Sequence, residues 1–239
     1  MQPLTRDYFL KCNIVLYQPR SGYRFSIDAV ILAHMASPTA VETVLDLGTG
    51  CGVIPVMLAF RNPGVQVIGV EIQPALADLA RQNAAANKMT QWIRIIEKDL
   101  AQLSLADVDR PVDLVVTNPP YRARNSGRIN ADSQRAVARH ELKTDLETVL
   151  LTARRMLRKS GRLCVVYPCV RTVDLLAAMR RTGLEPKSLT MIHTRASTSA
   201  RLVVISGIKA GRPGLVVAPP LFLYREDGSY TQTAEAIFS

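Results

Sequence analysis

The sequence predicts an α/β fold built on a mostly parallel seven-stranded sheet, and three features point there. Seven short apolar runs rich in Val, Ile and Leu recur along the chain, as strands covered on both faces require. Most are separated by stretches with helical periodicity, which places helices on both sides of the sheet. The last two runs are joined by a Ser/Thr-rich turn, so the sheet closes in an antiparallel strand.

Taken in order, residues 18–24 read as a turn. Ser26 or Asp28 can then cap a helix in which Ile27, Val30, Ile31 and Met35 recur at helical spacing. The first strand is 44–47, and the helix 53–60 tolerates Pro55 in its opening turn. A second strand at 65–70 precedes a helix at 74–87 with Leu76, Leu79 and Ala80 on one face. The third and fourth strands are 92–96 and 113–117. A helix at 146–157 follows, its Arg154, Arg155, Arg158 and Lys159 standing before Ser160-Gly161 as cations before a terminal glycine. Strand 163–167, helix 173–179 and the pair 188–193 and 202–208 complete the sheet. With no internal repeat or low-complexity tract, residues 1–239 read as one domain, of which 1–40 form an N-terminal extension.

Composition excludes several classes. No stretch approaches the roughly 18–20 apolar residues that span a bilayer, and the N-terminus lacks the basic-then-apolar layout of a signal peptide. The four cysteines, at 12, 51, 164 and 169, form no Cys-x-x-Cys pair and have no histidine at metal spacing. Reduced thiols in a cytosolic protein without a metal follow. The net charge of +10 is unevenly spread: residues 110–200 hold 17 Lys and Arg against 7 Asp and Glu, and the rest hold 13 of each. A polyanionic partner beside that stretch is expected.

Unusual residues stand at the carboxyl ends of the strands, where ligands bind in such sheets. The first strand ends in Asp46-Leu47-Gly48-Thr49-Gly50-Cys51-Gly52, whose alternate glycines let backbone approach a ligand closely. The second ends in Glu71-Ile72, at the separation where an acid reaches a ribose. The third runs into Glu97-Lys98-Asp99-Leu100 and the fourth into Asn118-Pro119-Pro120-Tyr121. Asn118, preceding a proline, stays extended while the prolines stiffen the exit. Its amide oxygen, the Pro119 carbonyl and the Tyr121 ring can hold a planar amino group and present its nitrogen for alkylation.

These motifs resemble those of the class I methyltransferases, Rossmann-like enzymes that use S-adenosyl-L-methionine. The resemblance implies that Gly48, Gly50 and Gly52 line the amino-acid end of the cofactor, with Asp46 orienting the loop or holding its ammonium. It implies Glu71, with Ile72 beside it, at the ribose, and Asp99 and Leu100 at the adenine, Glu97 being the alternative to Asp99 if the strand ends earlier. The segment from Gln18 through Ser26 and Asp28, and the ending Leu221 to Tyr224 with Asp227 to Thr231, resemble the bacterial tRNA1(Val) adenine-N6 methyltransferases. In that family the N-terminal extension closes over the cofactor, and the target is the adenosine 3′ of the anticodon of a valine tRNA. Asn118, Pro119 and Tyr121 are then the catalytic tip, with Asn118 also near the cofactor.

Residues 122–141 carry Arg122, Arg124, Arg128, Arg135 and Arg139 with few apolar side chains. A connection of that length is functional or disordered, and Arg122, Arg124 and Arg128 are the expected RNA contacts. Two other readings stay open on sequence alone. A protein-glutamine methyltransferase would grip a planar amide with the same acceptors, and a catalytically silent fold of this kind could serve as an RNA-binding module. A DNA adenine methyltransferase is disfavoured for want of a duplex-recognition domain.

Overall fold

A computed structural model describes residues 3–10, 13–20, 25–119 and 146–238. The chain opens with an antiparallel hairpin, β1 (Leu4–Phe9) and β2 (Ile14–Pro19), where sequence periodicity predicts no strand. In β2 the side chains of Ile14, Leu16 and Gln18 turn inward. Helix α1 (Ile27–Ala36) begins at Ser26 and buries Ala29, Val30, Ile31, Leu32, Ala33 and Ala36. The expected single apolar stripe is thus a helix enclosed on most sides, as a helix apolar all round must be.

The sheet elements follow the apolar runs closely. They are β3 (Thr43–Leu47), α2 (Val53–Arg61), β4 (Gln66–Glu71), α3 (Pro74–Ala86), β5 (Ile93–Glu97), the single-turn α4 (Leu105–Val108) and β6 (Val112–Thr117). Beyond the undescribed stretch come α5 (Leu146–Met156), β7 (Leu157–Pro168), α6 (Thr172–Arg181), β8 (Leu184–His193) and β9 (Ala200–Lys209). Two-residue strands β10 (Val216–Val217) and β11 (Leu221–Phe222) both join β8, and α7 (Gln232–Phe238) ends the described chain.

The seven principal strands lie in the order β5-β4-β3-β6-β7-β9-β8. All are parallel except β9, which runs antiparallel to both β7 and β8. Of the closing pair, only β9 is therefore reversed. Alternation within the buried strands feeds two cores. Val44, Val67, Leu114, Val116, Cys164 and Val204 pack with α1 and α2. Leu45, Leu47, Val70, Val115, Val165 and Ile205 pack with α5 and α6. Each fully buried Leu, Ile or Val contributes about 1.5–3 kcal/mol relative to exposure, which makes this sheet a stiff platform for whatever stands at its rim.

The expected helix stop at Ser160-Gly161 is not one. Helix α5 passes directly into β7 at Leu157, which pairs with Val112, and the register shifts before Leu114 meets Arg162. Ser160 takes a positive φ of 58° in this bulge. Arg158 is held there by Asp113 at 2.6 Å rather than standing at a helix end.

Strand order reverses between β3 and β6: from β3 the chain builds outward to β4 and β5, then returns to β6 on the other side. The crevice between their carboxyl ends is where such sheets take ligands.

Candidate active site

Strand register places the candidate residues on one rim. Leu47 pairs with both Val70 and Thr117, and Glu71 pairs with Glu97. The glycine loop after Leu47, Glu71-Ile72, Asp99-Leu100 and Asn118-Pro119 thus emerge at the ends of four adjacent parallel strands. The β6 tip is pinned at this level, because the wholly buried Thr117 hydroxyl donates to the Leu47 carbonyl at 2.9 Å. Asn118 itself is half-buried and Pro119 buried.

The glycine loop turns back over β4: the Gly48 and Thr49 amides both donate to the Val70 carbonyl, at 3.0 and 2.9 Å. Gly48 and Gly50 have φ of 78° and 58°, the left-handed region that glycine occupies without strain. A Cβ on Gly48 would meet nothing within 4 Å, so the loop presents bare backbone to open space. Gly52 differs. A Cβ there would lie 2.9 Å from the Ala80 Cβ, so its glycine admits α3 rather than exposing a ligand surface. Gly69 in β4 is a third constrained position, where a Cβ would stand 2.9 Å from the Thr49 hydroxyl.

Glu71 is buried and already engaged. Its Oε2 accepts the Gly50 amide and its Oε1 the Gln73 amide, each at 2.9 Å. Burial pushes its carboxyl up, against the pull of those amides. Each oxygen keeps a second lone pair, so Glu71 braces the loop and can still accept from a ligand hydroxyl. At the next strand tip Asp99 is half-buried and caps a 3₁₀ turn (Leu100–Gln102), Oδ1 accepting the Ala101 amide at 2.9 Å. The Leu100 carbonyl receives the Thr152 hydroxyl of α5 at 3.1 Å. Glu97, the alternative acid, is exposed at the end of β5. Ile72 is 42% exposed, an apolar side chain standing open at the rim.

Asp46 is the most unusual group here. Its carboxylate is fully buried, and neither oxygen closes a hydrogen bond, nor does the neighbouring buried Thr49 hydroxyl. Burial raises its pKa to about 7; Thr49 opposes this and the Glu71 charge adds to it. The folded pKa therefore exceeds the unfolded one near 3.8. The stability tied to this group is full below about pH 4 and is lost as pH climbs toward 7. Asp46→Asn is accordingly expected to stabilise the cofactor-free protein, by about 2–3 kcal/mol more at pH 8 than at pH 5. Urea unfolding at both pH values measures this, and a pH-independent difference would mean that Asp46 titrates normally.

At the helix side, Ser26 is the N-cap of α1 without a side-chain cap bond, and Asp28 lies in its first turn. The buried Gln18 carboxamide oxygen accepts the Phe25 amide at 3.2 Å, tying β2 to the approach of α1. Residues 120–145 lie outside the described ones, and with them Tyr121, Arg122, Arg124 and Arg128. Among the described residues no His, Cys, Asp and Glu cluster suits a metal ion, and no helix is long and apolar enough to cross a membrane.

Sequence reasoning missed the two threonines, Thr49 and Thr117, and Asn83 of α3. Asn83 is wholly buried and bonds both the hairpin and the Cys51 carbonyl of the glycine loop. A signal was present: Asn83 is a poor helix former within an Ala-rich helix.

Comparison with known proteins agrees with this geometry. The methyltransferase small domain matches residues 26–180. A tRNA1(Val) (adenine(37)-N6)-methyltransferase of Porphyromonas gingivalis is 36% identical over 80% of this chain and 76% of its own. Among solved structures, a predicted O-methyltransferase from Agrobacterium tumefaciens superposes with TM-score 0.68 at 22% identity, over 88% of this chain and 94% of that one. A geranyl diphosphate C-methyltransferase from Streptomyces coelicolor A3(2), solved with S-adenosyl-L-homocysteine, gives TM-score 0.56 at 16% identity, over 77% and 80%.

Proposed function

Because the chain belongs to the methyltransferase small-domain family and, within it, to the tRNA1(Val) adenine-N6 methyltransferases, we propose that it methylates N6 of adenosine 37 in a valine tRNA. The methyl donor is S-adenosyl-L-methionine, which supplies an electrophilic methyl on a sulfonium. The observation that carries the reading is the register of the rim, which sets the Asn118 tip level with the glycine loop at the sheet's point of reversal.

The residues present fit that donor. Asp46 offers a buried carboxylate lacking a partner for an ammonium, with the Thr49 hydroxyl beside it, and Gly48 leaves room where a side chain would intrude. Glu71 accepts from ribose hydroxyls with its remaining lone pairs, while Ile72, Asp99 and Leu100 flank the adenine. Gly50 and Gly52 shape the loop, and Ser26 and Asp28 stand where the N-terminal extension meets the cofactor.

At the β6 tip the Asn118 amide oxygen and Pro119 carbonyl accept the two amino hydrogens of the target adenine. An exocyclic amine is a weak nucleophile because its lone pair is delocalised into the ring. Holding both hydrogens favours a more tetrahedral nitrogen, and fixed acceptors do this without reorganisation. Tyr121 stacks on the base, worth about 1–3 kcal/mol in comparable contacts. The base must leave its stack to reach the rim, which costs least in a loop. Arg122, Arg124 and Arg128 hold the surrounding phosphates. We place the enzyme in the cytoplasm on the strength of this substrate and of the Cys164 and Cys169 thiols, which form no disulfide among the described residues.

The test is to incubate the protein with methyl-labelled cofactor and either unmodified tRNA or a release factor, then digest the RNA to nucleosides. Label in N6-methyladenosine is the expected result. Label in protein glutamine, or in neither substrate, would overturn the assignment.

A further inference from the structure

The sheet is not level along its rim. Pairing of β6 with β7 ends at Thr117 and Val165, whereas β7 and β9 stay paired up to Pro168 and Leu202. Strand β8 accompanies them as far as His193 opposite Ala200. At about 3.3 Å per residue, the β7–β9–β8 half rises roughly 10 Å above the end of β6. It forms a wall immediately beside the strand that carries Asn118.

The crest of this wall is built in an unusual way. A 3₁₀ turn (Cys169–Arg171) leads into α6. On it Val170 is 93% exposed, and Val173 in the first helical turn is 78% exposed. The turn is braced: the Thr172 hydroxyl donates to the Cys169 carbonyl at 2.7 Å, and Arg171 pairs with Asp174 at 3.1 Å while lying over the Tyr167 ring. Burying neither valine, the fold holds Val170 out on a fixed support. Alongside, Arg201 is exposed and Arg195 half-buried, and neither forms an ion pair among the described residues. Arg225 is also exposed nearby in sequence to β11. The acids of this end are in part engaged: Asp174 with Arg171, Glu226 with Ser197 and Asp227 with Ser229.

We propose that this crest is a second RNA-docking surface. Val170 presses against the nucleobase next to the extruded adenine, and Arg195 and Arg201 hold backbone phosphates beside it. The proposal rests on the tRNA reading above and adds contacts from the β7–β9–β8 half of the sheet to those proposed for Arg122, Arg124 and Arg128. An apolar side chain wedged against a partly unstacked base is a known way of stabilising a distorted nucleic acid. Unpaired arginines next to it supply the sequence-independent phosphate contacts that fix register. An apolar protein partner would not call for the unpaired guanidinium groups.

Val170→Asp and Arg201→Ala test this, since both side chains are exposed and neither touches the proposed cofactor site. Thermal melts confirm that each variant is folded. Val170→Asp is expected to weaken binding of unmodified tRNA by tenfold or more, with cofactor affinity unchanged within twofold. Arg201→Ala should lower the slope of log K against log salt by about 0.7–0.9, the value of one phosphate contact. If the wild-type protein methylates tRNA but both variants bind it with wild-type affinity and salt slope, the crest is not an RNA surface. If the wild-type protein binds and methylates no RNA, or the variants instead lose a protein substrate, the underlying reading falls and the crest proposal with it.

Discussion

Asn118→Ala is expected to lower the turnover number for tRNA methylation by about 10²–10³-fold, the range seen when one preorganised hydrogen-bonding group is removed from a reacting centre. Cofactor affinity should stay within about threefold, because the residues that brace the glycine loop are elsewhere. Glu71 holds Gly50, and the Gly48 and Thr49 amides are held by Val70. The variant should not move the strand tip either, since Thr117 remains bonded to Leu47. The loss is therefore expected in kcat, with the KM for cofactor nearly unchanged. Single-turnover methylation and cofactor titration separate the two. A variant that turns over like the wild type would remove the amide from the chemistry, and one that fails only in cofactor binding would make Asn118 a cofactor ligand rather than the acceptor of the amine.

The parallel core was legible because its strands are buried on both faces and must be apolar at nearly every position, as Val44–Leu47 and Val112–Val116 are. Their tips were legible too, since glycine, acid and asparagine are exceptional after such runs. Elements whose formation depends on distant partners were not. Strand β1 contains Thr5, Arg6 and Asp7 and exists because it pairs with β2, whose Ile14 and Leu16 are buried elsewhere in the core. The junction at Ser160-Gly161 has the local chemistry of a helix stop, but pairing with β6 draws the chain into a bulged strand from Leu157 onward. Roles inside the site were harder still. Nothing local distinguishes Gly48, beside open space, from Gly52, pressed against Ala80. Nor does sequence spacing reveal that both Glu71 oxygens already receive backbone amides. Those facts belong to packing.

Asn83→Leu should destabilise the protein by about 3–5 kcal/mol and also weaken cofactor binding. Strand β2 has β1 on one edge, and its other edge faces α3. There the amide side chains act as a substitute strand. Asn83 Oδ1 accepts the Tyr17 amide at 2.7 Å, and Nδ2 donates to the Tyr17 and Cys51 carbonyls at 2.9 and 2.8 Å. Asn87 repeats the pattern on Val15, at 2.9 and 2.7 Å. Leucine at 83 fills a similar volume but leaves three backbone groups without a partner at a fully buried position, and each such group costs about 1–3 kcal/mol. The half-buried Asn87 can be replaced by water, so Asn87→Leu should cost only about 1 kcal/mol. Asn83→Asp separates shape from bonding: it keeps the acceptor for Tyr17 but has no donors for the two carbonyls, and it adds an unpaired buried charge. It should therefore be at least as damaging as leucine. Because Cys51 lies within the glycine loop, the lost Nδ2 bond reaches the proposed cofactor site directly. A rise in cofactor Kd is expected for both Asn83 variants and not for Asn87→Leu. If urea unfolding found Asn83→Leu within 1 kcal/mol of the wild type, the hairpin would have to be held by its apolar contacts alone. The link from N-terminal extension to glycine loop would then carry no energy.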